Sequence, residues 1–344
     1  MIMAAGKAFS IIIPTYNRKG QIIKALNELL VQNYDPGLFE VVVIDDGSTD
    51  GTSEELLAFK KELKIDINLI RQKNKGPAYA RNVGIKNSKY EFIVFLDSDC
   101  YPLEKDWILK INEKVNDIIA RGHTDFLLGG RLITPSDTLS QKFIIALDGY
   151  GTPDLGEIGF ESKNDFVSFP TTNLVVPKRT FENIGGFDTN IIFGSGEDTD
   201  FCYRLWKSGN AIFLYEPSFP VFHLHRTGFR DLLNISFRRS INHHTLMAKY
   251  GVMDKHFFRR RLIKIIAIYC VTVALLITLF LDVRLAGILL LAGYVVLVLV
   301  FLLKTKSSLN SFYFPIYYVL LSIYEVIGST IGMIIYLKSR FTQL

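Results

Sequence analysis

The sequence predicts an α/β domain built on a parallel sheet, followed by a C-terminal region that crosses a membrane. Three observations lead there. Short apolar runs alternate with helically spaced segments over the first hundred residues, several of those runs end in polar clusters, and the C-terminal quarter holds long charge-free stretches.

Residues 9–13 form a short apolar run stopped by Pro14, the length of a buried strand. Over residues 21–31, Ile22, Ile23, Leu26, Leu29 and Leu30 recur at helical spacing. Residues 41–44 read as a second buried strand. Thr52-Ser53-Glu54-Glu55 then has the pattern of a capping box and predicts a helix to about Lys64. Residues 67–70 and 92–96 complete four strands, with 78–87 helical between them. Continuous apolar strands separated by helices suit a parallel sheet covered on both faces. Ligands of such sheets bind beyond the carboxyl ends of the strands.

Charge is distributed unevenly. Residues 257–344 contain nine Lys/Arg and two Asp/Glu, whereas residues 1–256 contain 30 and 32. A nucleic-acid-binding protein places its basic excess on the folded domain, so no nucleic-acid partner is expected. The three cysteines, Cys100, Cys202 and Cys270, form no CxxC pair and suggest neither a disulfide framework nor a zinc ribbon. Residues 1–10 lack a sustained apolar core, so no signal peptide is expected.

Residues 265–281 and 285–303 carry no charge and are long enough to span a hydrocarbon core, for which about 20 apolar residues are needed. Asp282, Val283 and Arg284 join them as a tight hairpin. Arg259, Arg260, Arg261 and Lys264 precede it and Lys304 and Lys306 follow it, which places both ends on the cytoplasmic side with the large N-terminal domain. The segment 312–337 is less clean, containing Pro315, Ser322, Glu325, Ser329 and Thr330, with Gly328 and Gly332 at a spacing that lets helices approach closely. A third span is the expectation, with Glu325 facing helix neighbours. The predicted division is a domain over 1–225, interfacial basic helices over 226–262 and a transmembrane region over 263–340, with spans at 263–281, 285–303 and 312–337.

The polar clusters at the strand ends are the candidate site. Pro14-Thr15-Tyr16-Asn17-Arg18 follows the first strand, Asp45-Asp46-Gly47-Ser48-Thr49-Asp50 the second and Asp97-Ser98-Asp99 the fourth. Turn preference explains any one of them. It does not explain so many carboxylates at one sheet edge, where Asp45, Asp46, Asp97 and Asp99 would repel one another unless a cation or hydrogen-bond donors met them. An Asp-x-Asp pair on extended backbone offers a bite for Mg²⁺ or Mn²⁺, with a substrate diphosphate completing the shell.

Taken together, these segments resemble the inverting family 2 glycosyltransferases of the GT-A fold. The resemblance runs through residues 10–18, 41–50 (VVVIDDGSTD), 76–84 (GPAYARNVG) and 95–99 (FLDSD). It continues in Gly185-Gly186-Phe187-Asp188 and Gly196-Glu197-Asp198-Thr199-Asp200, and covers roughly residues 8–240. It implies a Rossmann-like nucleotide-diphospho-sugar transferase domain and a UDP-, GDP- or dTDP-sugar donor. Pro14, Thr15 and Tyr16 would border the nucleoside, and Asp45 or Asp46 would bond the base or ribose. Arg81 would lie near the nucleotide, and Asp97 would contact the ribose or metal shell. Asp99 would ligate Mn²⁺ or Mg²⁺, Asp198 would be the general base, and His223 would give a further metal or diphosphate contact.

Chemistry supports Asp198 independently. Acceptor hydroxyls are poor nucleophiles at neutral pH, and Glu197 beside Asp198 raises the cost of ionising both. The plain alternative is a helix N-terminus favouring Glu197, Asp198 and Asp200, and the two are compatible. His223 and His225 alternate on an extended segment, so at most one faces the metal. His243 and His244 read as surface residues.

Phe229, Leu232, Leu233 and Phe237 share a helical face near Arg226, Arg230, Arg238 and Arg239, which suits a helix at the bilayer surface in contact with membrane lipids. The resulting expectation is a multi-pass enzyme of the cell membrane with a cytoplasmic catalytic domain, acting on a lipid-linked or polysaccharide acceptor. A polyprenyl-phosphate sugar synthase is the nearest variant. A sugar nucleotidyltransferase would need a Gly-rich basic loop after the first strand, which Pro14-Thr15-Tyr16-Asn17 is not. An inactive tethered module would have no need of Asp99 and Asp198.

Overall fold

The computed structural model describes residues 6–60, 67–134, 138–146, 159–163, 166–191, 196–224, 228–250, 280–305 and 313–341, with residues 266, 270, 274 and 278. The chain divides into two compact units, Met1–Pro135 with Thr152–His225, and Ser136–Gly151 with Arg226–Leu344.

The first unit is a single mixed sheet. Its parallel part is β3 (Ile67–Arg71), β2 (Phe39–Asp45), β1 (Phe9–Thr15) and β4 (Phe92–Leu96), side by side in that order. The helices between them are α1 (Gln21–Leu30), α2 (Thr52–Lys60) and α3 (Pro77–Lys86). These four strands match the sequence expectation. Beyond β4 the sheet turns antiparallel through β8 (Asn173–Pro177) and continues through β6 (Phe126–Ile133), β9 (Ile212–His223) and β5 (Cys100–Pro102). The short β7 (Phe160–Ser162) pairs with β9. Helices α4 (Trp107–Ala120), α6 (Lys178–Asn183) and α7 (Glu197–Ser208) complete the covering layers.

Strand alternation separates two cores. Ile11, Ile13, Val41, Val43 and Val94 face Leu26 and Leu29 of α1 and Trp107, Ile111 and Val115 of α4. Ile12, Val42, Ile44, Ile93 and Phe95 face Ala80 and Ile85 of α3, Phe181 of α6 and Phe201 and Leu205 of α7. Both strand faces are therefore buried, which is why these strands read as unbroken apolar runs.

The start of α2 departs from the predicted capping box. Thr52 N and Oγ1 donate to the Asp50 carboxylate, while Glu55 reaches out to accept from Gly20 N at 2.8 Å. Asp50 is thus the cap, its carboxyl drawn below the usual value because hydrogen bonds from Thr52 and Lys19 outweigh desolvation. The predicted end near Lys64 lies outside the described residues.

The second unit contains α5 (Leu139–Ala146), α8 (Phe229–Tyr250), α9 (Val283–Thr305) and α10 (Phe314–Phe341). Of the predicted span 263–281, only 266, 270, 274, 278, 280 and 281 are described, all helical. Asp282 caps α9 by accepting from Arg284 N at 2.8 Å. Among the described residues, two helices are long and apolar enough to cross a membrane, at Val283–Val300 and Phe314–Ile335. Pro315 sits in the first turn of α10, where its missing N–H costs nothing. Phe143, Leu232, Leu233, Phe314 and Leu321 form this unit's apolar cluster.

Candidate active site

The loops after β1 and β2 are fastened together. Asn17, in the left-handed region at φ 52°, accepts from Thr49 N at 2.8 Å, and its own N–H donates to Ser48 Oγ at 2.9 Å. Arg18 N donates to Thr52 Oγ1 and Lys19 N to Asp50. This leaves Tyr16 exposed and aims the Arg18 side chain elsewhere, towards Asp99.

Asp45 and Asp46 are met by donors of the protein itself. Asp45 is fully buried and accepts from Ser48 N at 2.9 Å and from Ser53 Oγ, with Arg71 Nε at 3.7 Å. Asp46 accepts from Gln72 Nε2 at 2.7 Å, Lys75 N at 2.9 Å and Gly76 N at 2.8 Å, tying the end of β2 to the start of α3. Gly47 makes this turn possible: it sits at φ 82°, and a Cβ there would lie 2.9 Å from Asn74 N.

At the end of β4, Asp97 and Asp99 divide their roles. Asp97 Oδ1 accepts from Arg81 Nη2 at 2.8 Å, and Oδ2 accepts from Thr172 Oγ1 at 3.0 Å. Burial raises its carboxyl, but the Arg81 charge and hydrogen bond, His223 and Thr172 together bring it below the ordinary value. Asp99 faces Arg18 Nη2 at 3.3 Å through Oδ2 and His223 Nε2 at 3.6 Å through Oδ1. His223 arrives there because Cys100 of β5 and His223 of β9 are antiparallel partners, and Leu224 N donates to Asp99 O at 2.9 Å.

Asp99, Cys100 and His223 each present a ligand atom, all within 4.8 Å of one another. Oxygen and imidazole donors at that separation fit a divalent cation. The Cys100 thiol is pushed well above its usual value by burial and by the charges of Asp99 and Asp97, with Arg18 acting in the opposite sense.

Arg81 links this strand end to α7. Its Nη1 donates to Glu197 Oε1 at 2.8 Å while Nη2 holds Asp97, and its side chain is 6% exposed. Burial opposes the guanidinium charge, yet Asp97 and Glu197 outweigh it and raise its pKa. Gly196, left-handed at φ 102°, turns the chain into α7, so Glu197 points inward to Arg81. Asp198 follows, half-buried, its Oδ1 accepting from Thr199 N at 2.7 Å. Glu197 thus shares the Arg81 guanidinium with Asp97, so one positive charge meets two carboxylates. The Glu197 Oε2 is buried and, among the described residues, has no hydrogen-bond partner.

The same helix fixes the Gly185-Gly186-Phe187 segment. Arg204 donates to Ile184 O and Gly186 O, both at 2.6 Å, and Asn82 exchanges two bonds with the Phe187 backbone. Thus α3, α7 and the β4 end meet around Arg81. Glu197 was legible only as a neighbour of Asp198, and Thr172 carried no motif. Glu197 pairs with Arg81 across 116 residues and Thr172 with Asp97 across 75, which leaves no local spacing to read. Gly194, Ser195 and His225 lie outside the described residues, and the side chains of His243 and His244 do as well.

The family model described as glycosyl transferase family 2 matches residues 10–153. The chain is 31% identical over 206 residues to the glycosyltransferase AglE of Haloferax volcanii, covering 59% of this chain and 62% of AglE. It is 37% identical over 114 residues to the poly(ribitol-phosphate) beta-N-acetylglucosaminyltransferase TarS of Staphylococcus aureus, covering 32% of this chain and 20% of TarS. Several longer relatives are likewise matched over only 19–20% of their length. Among solved structures, the mannosyltransferase PcManGT of Pyrobaculum calidifontis, in complex with GDP-Man and Mn²⁺, has the same fold. Its TM-score is 0.67 at 17% identity, over 95% of this chain and 90% of that one.

Proposed function

We infer that this chain, whose N-terminal domain belongs to glycosyl transferase family 2, transfers a sugar from a nucleoside-diphosphate donor to an acceptor hydroxyl with inversion at the anomeric carbon. The observation that carries the reading is the Arg81 bridge. By holding Asp97 and Glu197 at once, it brings the Asp-x-Asp strand end and the helix bearing Asp198 to one place.

Asp198 is the general base: it takes the acceptor proton as the acceptor oxygen attacks the anomeric carbon and the bond to the diphosphate breaks. Negative charge then grows on the leaving diphosphate. Asp99 and His223 would hold a divalent cation, Mn²⁺ or Mg²⁺, which as a Lewis acid stabilises that charge. The Mn²⁺ and GDP-Man found in the fold neighbour support this part of the reading. Arg18, 3.3 Å from Asp99, places a second positive group at the same point. Tyr16, exposed beyond β1, offers a ring to the nucleoside, with Pro14 and Thr15 behind it. Asp45 and Asp46 shape the floor of the nucleoside site through the turns they hold.

The C-terminal apolar helices anchor the enzyme to a membrane, with the catalytic domain on the cytoplasmic side, and the acceptor is a lipid-linked glycan or a polysaccharide. A screen of uridine, guanosine and thymidine diphosphate sugars with the detergent-purified protein, with and without Mn²⁺ or Mg²⁺, identifies the donor. Asp198→Asn is expected to lower turnover by at least 10²-fold, the scale of a lost general base, while donor affinity by calorimetry is retained. Near-normal turnover in that variant removes Asp198 from the role.

A further inference from the structure

We propose that α10 does not cross the bilayer but lies in its headgroup plane beside α8, with its outer face against the acyl chains. This rests on the membrane reading above and refines it, replacing the third span that composition suggested.

The contacts between the two helices advance together along both. Phe229 stacks on Tyr317 with ring centroids 3.8 Å apart. Leu232 and Leu233 share a cluster with Phe314 and Leu321. Further on, a Cβ built on Gly328 would meet Phe237 O at 2.6 Å and Ser240 Cβ at 3.0 Å. The helices therefore run parallel and side by side from residue 229 to 240, a length of roughly 16 Å at the helical rise. Whatever depth and tilt α10 takes there, α8 shares.

Helix α8 cannot follow α10 through hydrocarbon. Arg230, Asn234 and Arg238 are exposed on it, directed away from the shared seam. Crossing would strand two arginines among acyl chains with no partner helix among the described residues. In the headgroup plane the same arginines face water and anionic phosphates.

The polarity of α10 agrees. Two of its polar residues, Glu325 and Ser329, are buried, and the exposed Thr330 hydroxyl is satisfied by donating to Val326 O at 2.9 Å. Ile316, Val319, Ile323, Ile327, Ile331 and Ile334 are exposed at spacings of three and four, making one continuous apolar stripe. A water-facing helix would show the reverse pattern. The occupant of the stripe is lipid, because neighbouring α9 is apolar on every side yet only 11% buried over Val283–Val300, which excludes a protein-core helix and leaves one in hydrocarbon, and because the arginines of α8 complement anionic headgroups.

Impermeant-maleimide labelling of the full chain in sealed inside-out and right-side-out membrane vesicles tests this. In a Cys270→Ser background, Tyr313→Cys, Lys338→Cys and Ile327→Cys are compared with Glu113→Cys on α4 as the reference for the catalytic domain. Tyr313→Cys and Lys338→Cys are expected to label from the same side as Glu113→Cys. Ile327→Cys should label only after detergent is added. Labelling of Lys338→Cys from the side opposite Tyr313→Cys would establish a spanning helix and overturn the proposal. Labelling of Ile327→Cys in intact vesicles would overturn the lipid-facing stripe. Failure of the membrane reading itself has a different signature: the wild-type chain would be released from vesicles by alkaline carbonate.

Discussion

Arg81→Met tests whether the buried bridge holds the site together. The methionine fills much of the arginine volume but leaves Asp97 and Glu197 without their shared cation, and their side chains are only 26% and 7% exposed. Removing one member of a buried ion pair costs about 3–5 kcal/mol, since the remaining charge is stranded. For a domain of 150–250 residues each kcal/mol lowers Tm by about 2–4 °C, so the expected loss is roughly 6–20 °C. The pH dependence has a definite sign. In the wild type, Asp97 titrates below its ordinary value of 3.8, so it contributes stability above that value and loses it as pH falls through the lower, folded value. In the variant burial is opposed only by His223 and Thr172, so the carboxyl sits higher than in the wild type, and acid then favours the variant relative to the wild type. The difference in Tm should therefore narrow between pH 7.5 and pH 4. Adding Glu197→Gln to Arg81→Met neutralises one stranded charge and should restore part of the loss. Thermal unfolding followed by circular dichroism in detergent reads all three. A Tm within about 2 °C of wild type at pH 7.5, or a gap of equal size at both pH values, would refute the reasoning.

Arg18→Ala removes the cation that faces Asp99 in the absence of metal. The pair is largely shielded, its side chains 19% and 12% exposed, and an exposed pair already contributes up to about 1 kcal/mol, so Mn²⁺ titrated without donor, followed by electron paramagnetic resonance, should bind at least about fivefold more tightly. Weaker binding would show that Arg18 does not compete for Asp99. Gly130→Ala should destabilise the first unit by about 1–3 kcal/mol as an overpacked core position, because its new methyl collides with Asn173 and Phe219. Asn173 also bonds Arg131 O and Phe219 O, so it has little room to move. An unchanged denaturation midpoint would contradict that packing.

The parts of this protein that local physics dictates were readable from the chain. Residues 9–13, 41–44, 67–70 and 92–96 are apolar on both strand faces, which only a doubly covered sheet demands, and all four became parallel neighbours. The clusters at Asp45, Asp97 and Asp198 could be recognised because loop residues of that kind recur at the ends of such strands and helices. What the chain could not show was which donor each carboxylate meets. The capping-box pattern at Thr52 was real as a pattern, but Glu55 found Gly20 N across the loop, a partner 35 residues away.

Hydrophobicity and periodicity are properties of one segment against solvent, so the sequence alone determined the four parallel strands, the helices between them and the apolar C-terminal stretches, but not the antiparallel half of the sheet. Pairing is a property of two segments at once. Tertiary structure alone decided that Arg81 joins Asp97 to Glu197 and that Asp99 sits between Arg18 and His223. It alone placed α10 along α8 at Gly328. Each depends on a few ångströms between residues far apart in the chain, and a hydrogen bond or a close helix crossing has no strength until the fold has set that distance.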